Sequence, residues 1–139
     1  MYQKYRFRHY SAKFTSIDLS AVTELGIGAF MYCDRLTSVT LGNGVTVIPN
    51  YAFAGCAALT TINLNKVTEI GDYAFGETAL ATATLSSITT IGKYAFTDCA
   101  SLTTVTLGDN ATKVDEGAFY NCTNLTELYV HRDVPPTLK

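Results

Sequence analysis

Two stretches of the chain are nearly identical: YAFAGCAALTTINL at residues 51–64 and YAFTDCASLTTVTL at residues 94–107. The pair Ala-Phe that they share recurs along the chain at spacings of 23, 22, 21 and 23 residues. The copies end at Phe30, Phe53, Phe75, Phe96 and Phe119. A repeat of this length predicts a solenoid, in which each coil packs only on its neighbours and the stack builds one continuous core.

A strand is predicted once in each repeat. Five or six residues after each Phe comes an aliphatic triplet of the form L-x-x-V-x-L, and its last two members alternate with polar residues, as expected for a strand with one buried face. An earlier triplet, Phe14/Ile17/Leu19, supplies a sixth copy. The later triplets are Leu36/Val39/Leu41, Leu59/Ile62/Leu64, Leu80/Ala83/Leu85, Leu102/Val105/Leu107 and Leu125/Leu128/Val130. Six parallel strands, one per coil, follow from this pattern.

A second extended segment is predicted between the triplet and the next Phe. The run from Val67 to Phe75 is too short for a long helix, so we expect a short extended piece at residues 67–70 and then one helical or 3₁₀ turn that carries Ala-Phe. Length differences between repeats fall at Gly, Asn, Asp and Ser positions, which turns tolerate. One repeat is also a residue short in the GETAL segment, between Phe75 and Leu80.

The combined unit, L-x-x-(V/I)-x-L followed by (V/I)-T-x-I-G-x-x-A-F-x-x-C, resembles the BspA-like leucine-rich repeat of bacterial surface antigens. The resemblance implies a β-rich leucine-rich-repeat solenoid of about six coils of 21–23 residues, with a parallel β-sheet and short helical or 3₁₀ turns opposite. It also implies a cell-surface or secreted location, a binding or adhesion role and no catalytic residues in the motif. The departures are Thr78, where the motif has Cys, and Ala83 and Ala111 at core positions.

Three parts of the chain are distinguished: an N-terminal cap segment at residues 1–13, the solenoid at residues 14–130 and a tail at residues 131–139. The first segment has four basic residues, interleaved with aromatic ones, and no acidic residue before Asp18. It is either a patch for anionic glycan or nucleic acid, or, as we favour, a cap over the first coil. The basic residues are Lys4, Arg6, Arg8 and Lys13.

The C-terminal end is predicted to be thinly covered. Pro135 and Pro136 interrupt strand pairing, and VPPTL at residues 134–138 resembles the segment that closes the last repeat in the family. Either the natural chain continues beyond this point or two molecules meet there, which would give an end-to-end homodimer.

Composition argues against two kinds of partner. The formal net charge is −2 and the pI is about 5.6, so the chain as a whole lacks the basic excess that binding to nucleic acid requires. No run of 18 or more apolar residues is present, and residues 1–14 lack the apolar core of a secretory signal. We therefore predict no nucleic-acid partner and no membrane insertion by this chain.

The cysteines occupy one position of the repeat, three residues after its Phe: Cys33, Cys56, Cys99 and Cys122. Cys56 and Cys99 are two coils apart, about 10 Å, so the four thiolates cannot surround one metal ion. Disulfides between neighbouring coils stay open as an alternative. Free buried thiols are favoured, because stacked positions keep Cβ atoms about 4.8 Å apart and a disulfide needs about 3.8 Å.

An enzyme is not predicted. His9 and His131 precede the first strand and follow the last, so they cannot cooperate in one active site. The glycine pairs Gly26/Gly28 and Gly42/Gly44 lie at coil corners and are typical of turns more than of phosphate binding. We expect no catalytic residue, no cofactor and no metal site.

The outward face of the strands is the best candidate for binding. In the middle coils it is a nearly uncharged surface of Thr, Ser and Asn. Thr is common on exposed strands for purely structural reasons; the alternatives are a contact surface for protein or glycan, or ice binding by Thr rows. The candidate ligand-binding residues are Ser38, Thr40, Thr61, Asn63, Thr82, Thr84, Thr104, Thr106, Glu127 and Tyr129.

The sequence thus predicts a non-catalytic binding or adhesion module whose partner is a protein or glycan on a host or neighbouring cell. The alternative is a structural spacer, or a repeat fragment of a longer protein, with no ligand of its own.

Overall fold

The computed structural model describes residues 14–130 and the backbone of Thr137–Leu138. These residues form a parallel β-solenoid, as predicted. Each coil begins with one strand, here called its main strand, and most coils continue with a short strand of two residues. In chain order the strands are β1 (Ser16–Leu19), β2 (Ser38–Leu41), β3 (Val47–Ile48), β4 (Thr61–Ile62), β5 (Glu69–Ile70), β6 (Thr82–Leu85), β7 (Thr90–Ile91), β8 (Thr104–Leu107), β9 (Lys113–Val114), β10 (Glu127–Val130) and β11 (Thr137–Leu138). Coils 1 to 6 begin at β1, β2, β4, β6, β8 and β10.

The main strands form two sheets where the sequence predicts one. β1, β2 and β4 pair in one parallel sheet, and β6, β8 and β10 pair in another. β4 pairs with β2 through only two residue pairs, Ser38 with Thr61 and Val39 with Ile62, and the described strands include no pairing of β4 with β6. The face is therefore interrupted between coils 3 and 4.

The short repeat lies at this interruption. In every other described coil pair, the N–H of the residue after the triplet's first Leu donates to the equivalent carbonyl one coil earlier: Thr37 to Thr15 at 2.7 Å, Thr60 to Thr37 at 2.9 Å, Thr103 to Ala81 at 2.9 Å and Thr126 to Thr103 at 3.0 Å. In the segment before β6 the N–H of Ala79 instead donates to Leu59 O at 3.1 Å. Because the GETAL segment lacks one residue, Ala81 is not held against Thr60.

The short strands form one continuous sheet, here called the second sheet. Its order is β11-β9-β7-β5-β3, and all pairs are parallel. β5 falls within the extended segment predicted at residues 67–70. β11 lies in the segment predicted as the tail, and its pairing with β9 places it where the second strand of coil 6 belongs.

The predicted turn at Ala-Phe is present, but residues 14–130 contain no helix: the Ala29 N–H donates to Gly26 O and the Met31 N–H to Gly28 O, each at 3.1 Å, as in isolated turns. The reason is that alternate N–H groups in this segment donate to the next coil and not back along their own segment. Gly28 donates to Asn50 O at 3.0 Å, Phe30 to Ala52 O at 2.7 Å and Tyr32 to Ala54 O at 2.7 Å. The segment also places two residues per coil at positive φ, such as Gly28 at 65° and Tyr32 at 62°, which a right-handed helix cannot contain.

The core runs unbroken through the stack. Phe30, Phe53, Phe75 and Phe96 are fully buried, and the Phe rings stack with centroid distances of 5.3 to 5.4 Å. The Phe75–Phe96 contact joins coils 3 and 4, where the main strands are interrupted, without a change in spacing. At the C-terminal end the repeated apolar residues are less buried: Phe119 is half-buried and Leu128 is 47% exposed.

Candidate functional site

The outward side of the main strands, here called the main face, holds the ten predicted ligand-binding residues. Strand pairing aligns Thr82, Thr104 and Glu127 in one row and Thr84, Thr106 and Tyr129 in the next. Ser38 lies opposite Thr61 in the other half of the face. Most of these residues are exposed; Ser38, Thr104 and Thr106 are half-buried. The predicted residues therefore share one side of the molecule, in two groups.

The interruption between β4 and β6 separates Thr61 and Asn63 from Thr82 and Thr84. At this place the carbonyl of Thr60 and the N–H of Ala81 have no hydrogen-bond partner among the described residues. Both residues are exposed. The continuous Thr rows that an ice-binding surface would need are absent from this face.

The threonine side chains divide into two kinds. Along one edge of the face, each hydroxyl donates to the carbonyl of the preceding coil: Thr37 to Thr15 at 2.9 Å, Thr60 to Thr37 at 3.3 Å, Thr103 to Ala81 at 3.2 Å and Thr126 to Thr103 at 3.4 Å. Ala81 is the one position of this row without a hydroxyl. By contrast, the hydroxyls of Thr40, Thr82, Thr84 and Thr106 make no hydrogen bond within the described part of the chain.

Asn63 has a structural task besides its place on the face. Its Oδ1 accepts the N–H of Asn65 at 3.1 Å, and Asp18 does the same for Ser20 at 2.9 Å two coils earlier. These bonds close the turn that follows the strand. The bonds from Ser20 also lower the pKa of Asp18. Asn63 thus offers its side-chain N–H₂ group as a donor on the face, while its side-chain oxygen already accepts one hydrogen bond.

Tyr129 and Glu127 form a polar and aromatic pair at the C-terminal edge of the main face. The Tyr129 hydroxyl donates to Glu127 Oε2, and this bond, with the nearby negative charge, raises the pKa of Tyr129. The ring is 50% exposed. It is the only aromatic side chain among the candidate residues.

The four cysteines are free thiols. Three of them donate their S–H group to a carbonyl of the preceding coil: Cys56 to Phe30 O at 3.1 Å, Cys99 to Phe75 O at 3.1 Å and Cys122 to Phe96 O at 2.9 Å. Thr78 keeps the position polar by donating to Phe75 O at 3.0 Å. Burial, followed by the charge of Asp34, raises the pKa of Cys33 to about 11. Among the described residues, no cluster of His, Cys, Asp and Glu could hold a metal ion.

The sequence interpretation missed a groove on the second sheet. Its cavity volume is about 400 Å³, and it runs past Val47, Glu69, Thr90 and Lys113. One wall is a ladder in which Asn50 Oδ1 accepts the N–H of Asp72 at 2.8 Å, and Asp72 Oδ1 accepts that of Lys93 at 2.9 Å. The repeated Gly after the isoleucine was the available signal, because a Cβ on Gly92 would lie 2.5 Å from Asp72 Oδ1.

A tyrosine stack was also missed. Tyr51, Tyr73 and Tyr94 stack with centroid distances of 5.1 and 5.2 Å. They are the Tyr that precedes the repeated Ala-Phe pair. Each has a positive φ, from 55° to 61°. His9, His131 and the basic segment at residues 1–13 lie outside the described residues.

The fold and the repeat agree with a known family, whose profile, BspA type leucine-rich repeat region, matches residues 3–135 in six copies. The chain belongs to this family. Because the match covers nearly the whole sequence, the BspA-like resemblance found from the repeat is confirmed.

Solved structures of bacterial leucine-rich repeat proteins have the same fold. A leucine-rich repeat protein from T. pallidum (TpLRR) is 26% identical with a TM-score of 0.74, over 86% of this chain and 71% of that one. One from Bacteroides ovatus is 25% identical with a TM-score of 0.68, over 84% of this chain and 37% of that one. One from Eubacterium ventriosum is 25% identical with a TM-score of 0.80, over 89% and 34%. This chain thus spans about a third of the latter two.

No match was found among curated proteins. No helix in the described residues is long and apolar enough to cross a membrane.

Proposed function

We propose that this protein is a non-catalytic binding or adhesion module of a bacterial cell-surface or secreted protein, and that its main face contacts a protein or glycan on a host or neighbouring cell. The observation that supports this most is the set of unbonded hydroxyls on the exposed Thr40, Thr82 and Thr84 and on the half-buried Thr106. Neighbouring threonines use their hydroxyls to join coils, whereas the hydroxyls of this second set have no partner among the described residues and are open to a ligand.

The surface location rests on the family, whose members resemble bacterial surface antigens. The non-catalytic role rests on the chemistry of the repeat. Its buried polar positions, such as Thr78 and the Cys thiols, are hydrogen-bonded to backbone carbonyls. These groups therefore stabilise contacts between coils.

Binding of the labelled chain to host epithelial cells and to bacterial cells, measured by flow cytometry, tests the proposal. The variants are Thr84→Lys and Thr106→Lys on the main face, with Thr90→Lys on the second sheet as the matched control. We expect saturable binding that the two main-face variants lose and the control keeps. Equal binding by all variants, or no binding to any cell, would overturn the proposal.

A spacer or repeat fragment is the second candidate, because the chain spans only 37% and 34% of two of its structural relatives. A spacer has no partner of its own, so the main-face variants would leave binding by a longer protein that contains this segment intact. That result separates the two candidates.

An end-to-end homodimer through coil 6 is a further part of the proposal. Leu128 occupies a core position of the strand but is 47% exposed, and Phe119 and Leu125 beside it are half-buried. We expect light scattering to show a dimer at high concentration, and Leu128→Ser to weaken it. A monomer throughout a hundredfold concentration range would contradict this contact.

A further inference from the structure

The interruption of the main face between coils 3 and 4 exposes unpaired backbone groups that a neutral ligand could bind. A parallel ladder normally gives each backbone carbonyl an N–H partner on the next strand. Here the carbonyl of Thr60 and the N–H of Ala81 lack one among the described residues, although the equivalent groups on both sides of them are paired. The pair offers one acceptor and one donor to an incoming molecule.

The side chains around this pair are hydroxyls and an amide. Thr61 and Asn63 lie on one side, and Thr82 and Thr84 lie on the other; all four are exposed. In the other coils a Thr hydroxyl also donates to the equivalent carbonyl, but the residue in position to donate to Thr60 O is Ala81, which has no hydroxyl. The side-chain hydrogen bond and the backbone hydrogen bond between coils are therefore missing at the same place. Two independent sets of bonds are therefore open at one point of the surface.

The charge and composition of this surface distinguish between kinds of partner. Protein interfaces draw most of their binding energy from Trp, Tyr and Arg. Around the interruption the face has none of these, and Thr40, Thr61, Thr82, Thr84, Thr104 and Thr106 are uncharged. Such a surface suits a neutral molecule rich in hydroxyls, whose C–H groups contact the Thr methyls.

An acetamido group matches the open pair, because it carries one N–H and one C=O, the two groups that a paired strand would have supplied. We infer that the interruption between β4 and β6 binds a neutral oligosaccharide with acetamido substituents, whose amide bonds to Thr60 O and Ala81 N–H and whose hydroxyls bond to Thr61, Thr82 and Thr84. This inference rests on the proposed binding function of the main face and names its ligand class.

Titration of the full chain with triacetylchitotriose, followed by amide chemical shifts and by calorimetry, tests the inference. The largest shifts are expected at Thr60, Ala81 and Thr82. Maltotriose, which lacks the amide, should bind about tenfold more weakly because two hydrogen bonds are lost. Shifts centred elsewhere, equal binding of maltotriose, or tighter binding of a blocked alanine tripeptide would overturn the assignment.

Two variants close the open pair. One inserts a single Ala between Thr78 and Ala79, which restores the length of the repeat; the other, Ala81→Thr, restores only the hydroxyl donor to Thr60 O. The insertion should weaken trisaccharide binding about tenfold and Ala81→Thr about threefold. Ala57→Thr, at an exposed turn of coil 2, is the control and should bind as the original chain does. Ala81→Thr keeps the test decisive if the insertion does not fold.

The cell-binding assay separates failure of this inference from failure of the proposed function. If the insertion variant still binds cells in a manner that depends on Thr84 and Thr106, and the trisaccharide does not compete, the main face binds but the glycan assignment is wrong. If the original chain binds neither cells nor trisaccharide, both are wrong.

Discussion

The main strands and the short strands of the solenoid respond differently to uneven repeat length. Between a main strand and the next short strand the repeats also differ by one residue: Leu41 to Ile48 and Leu107 to Val114 span seven positions, while Leu64 to Ile70 spans six. The second sheet nevertheless pairs without a break. On the other side, one missing residue before β6 divides the main strands into two sheets.

The difference lies in what precedes each strand. The longer segments have GNG and GDN turns, in which an extra residue bulges into solvent and leaves the following strand in place. The segment before β6 leads directly from the buried Phe75 and Thr78 to the buried Leu80, so the missing residue cannot be absorbed in a turn. The buried anchors keep their positions, and the strand pairing is lost.

Phe75→Ala should have the largest effect, because this ring stacks on Phe53 and Phe96 and joins the two halves where the main strands do not. We expect a loss of about 3–5 kcal/mol in the free energy of unfolding. Denaturation by urea should also change from one transition to two. Phe119→Ala, at the half-buried end, is the control with a smaller loss; equal losses would show that the stack is not what joins the halves.

Gly92→Ala should damage the continuous sheet. Its Cβ would lie 2.5 Å from Asp72 Oδ1 and 2.7 Å from Asp72 N, against backbone that cannot easily move. We expect a loss of about 1–3 kcal/mol, measured by urea denaturation. Asp72→Asn retains the oxygen that accepts the Lys93 N–H and should change stability far less. A neutral effect of Gly92→Ala would mean that the Asn50 and Asp72 ladder does not hold the sheet.

Thr89→Val should test the hydroxyl ladder of the second sheet. The Thr89 hydroxyl donates to Thr68 O at 2.9 Å in a partly buried position, and the equivalent hydroxyl of Thr112 donates to Thr89 O at 3.1 Å. Loss of one bond should cost about 1 kcal/mol in the free energy of unfolding. Thr84→Val on the main face removes an unbonded hydroxyl and should be nearly neutral. Equal losses would remove the distinction between the two kinds of threonine.

Amide hydrogen exchange should locate the interruption without altering the protein. The N–H of Ala81 lacks a partner, so it should exchange rapidly in the native state. The N–H groups of Thr60 and Thr103 each donate across coils at 2.9 Å and should be protected. Protection of Ala81 comparable to that of Thr60 would show that the main strands are joined in solution.

The fold could be predicted from the sequence because its determinants repeat. The Phe, the aliphatic triplet and the aliphatic residue five positions before each Phe recur five or more times, and burial of those residues builds the stack. The Ala-Phe turns do not continue into a helix because alternate N–H groups donate to the next coil, and a single repeat contains no sign of those bonds.

The candidate site could be predicted only in part. The alternation of the strands placed Thr82, Thr84, Thr104 and Thr106 on one face, as found. The short GETAL segment was visible in the sequence, but its effect on pairing depends on whether the chain can absorb a missing residue, which is decided by the neighbouring coils. The groove on the second sheet and the open Thr60 and Ala81 groups arise from contacts between coils and have no local signature.

The positive φ of Tyr51, Tyr73 and Tyr94 has a consequence for how the protein is made. A left-handed residue other than glycine costs on the order of 1 kcal/mol or more, and that cost arises within each coil. The compensating gain, the ring stack, exists only once the neighbouring coil is in place. A coil that emerges from the ribosome before its neighbour therefore has the backbone strain at Tyr without the stabilising ring contact. We expect ordered structure to appear during translation only after the next Y-A-F has emerged.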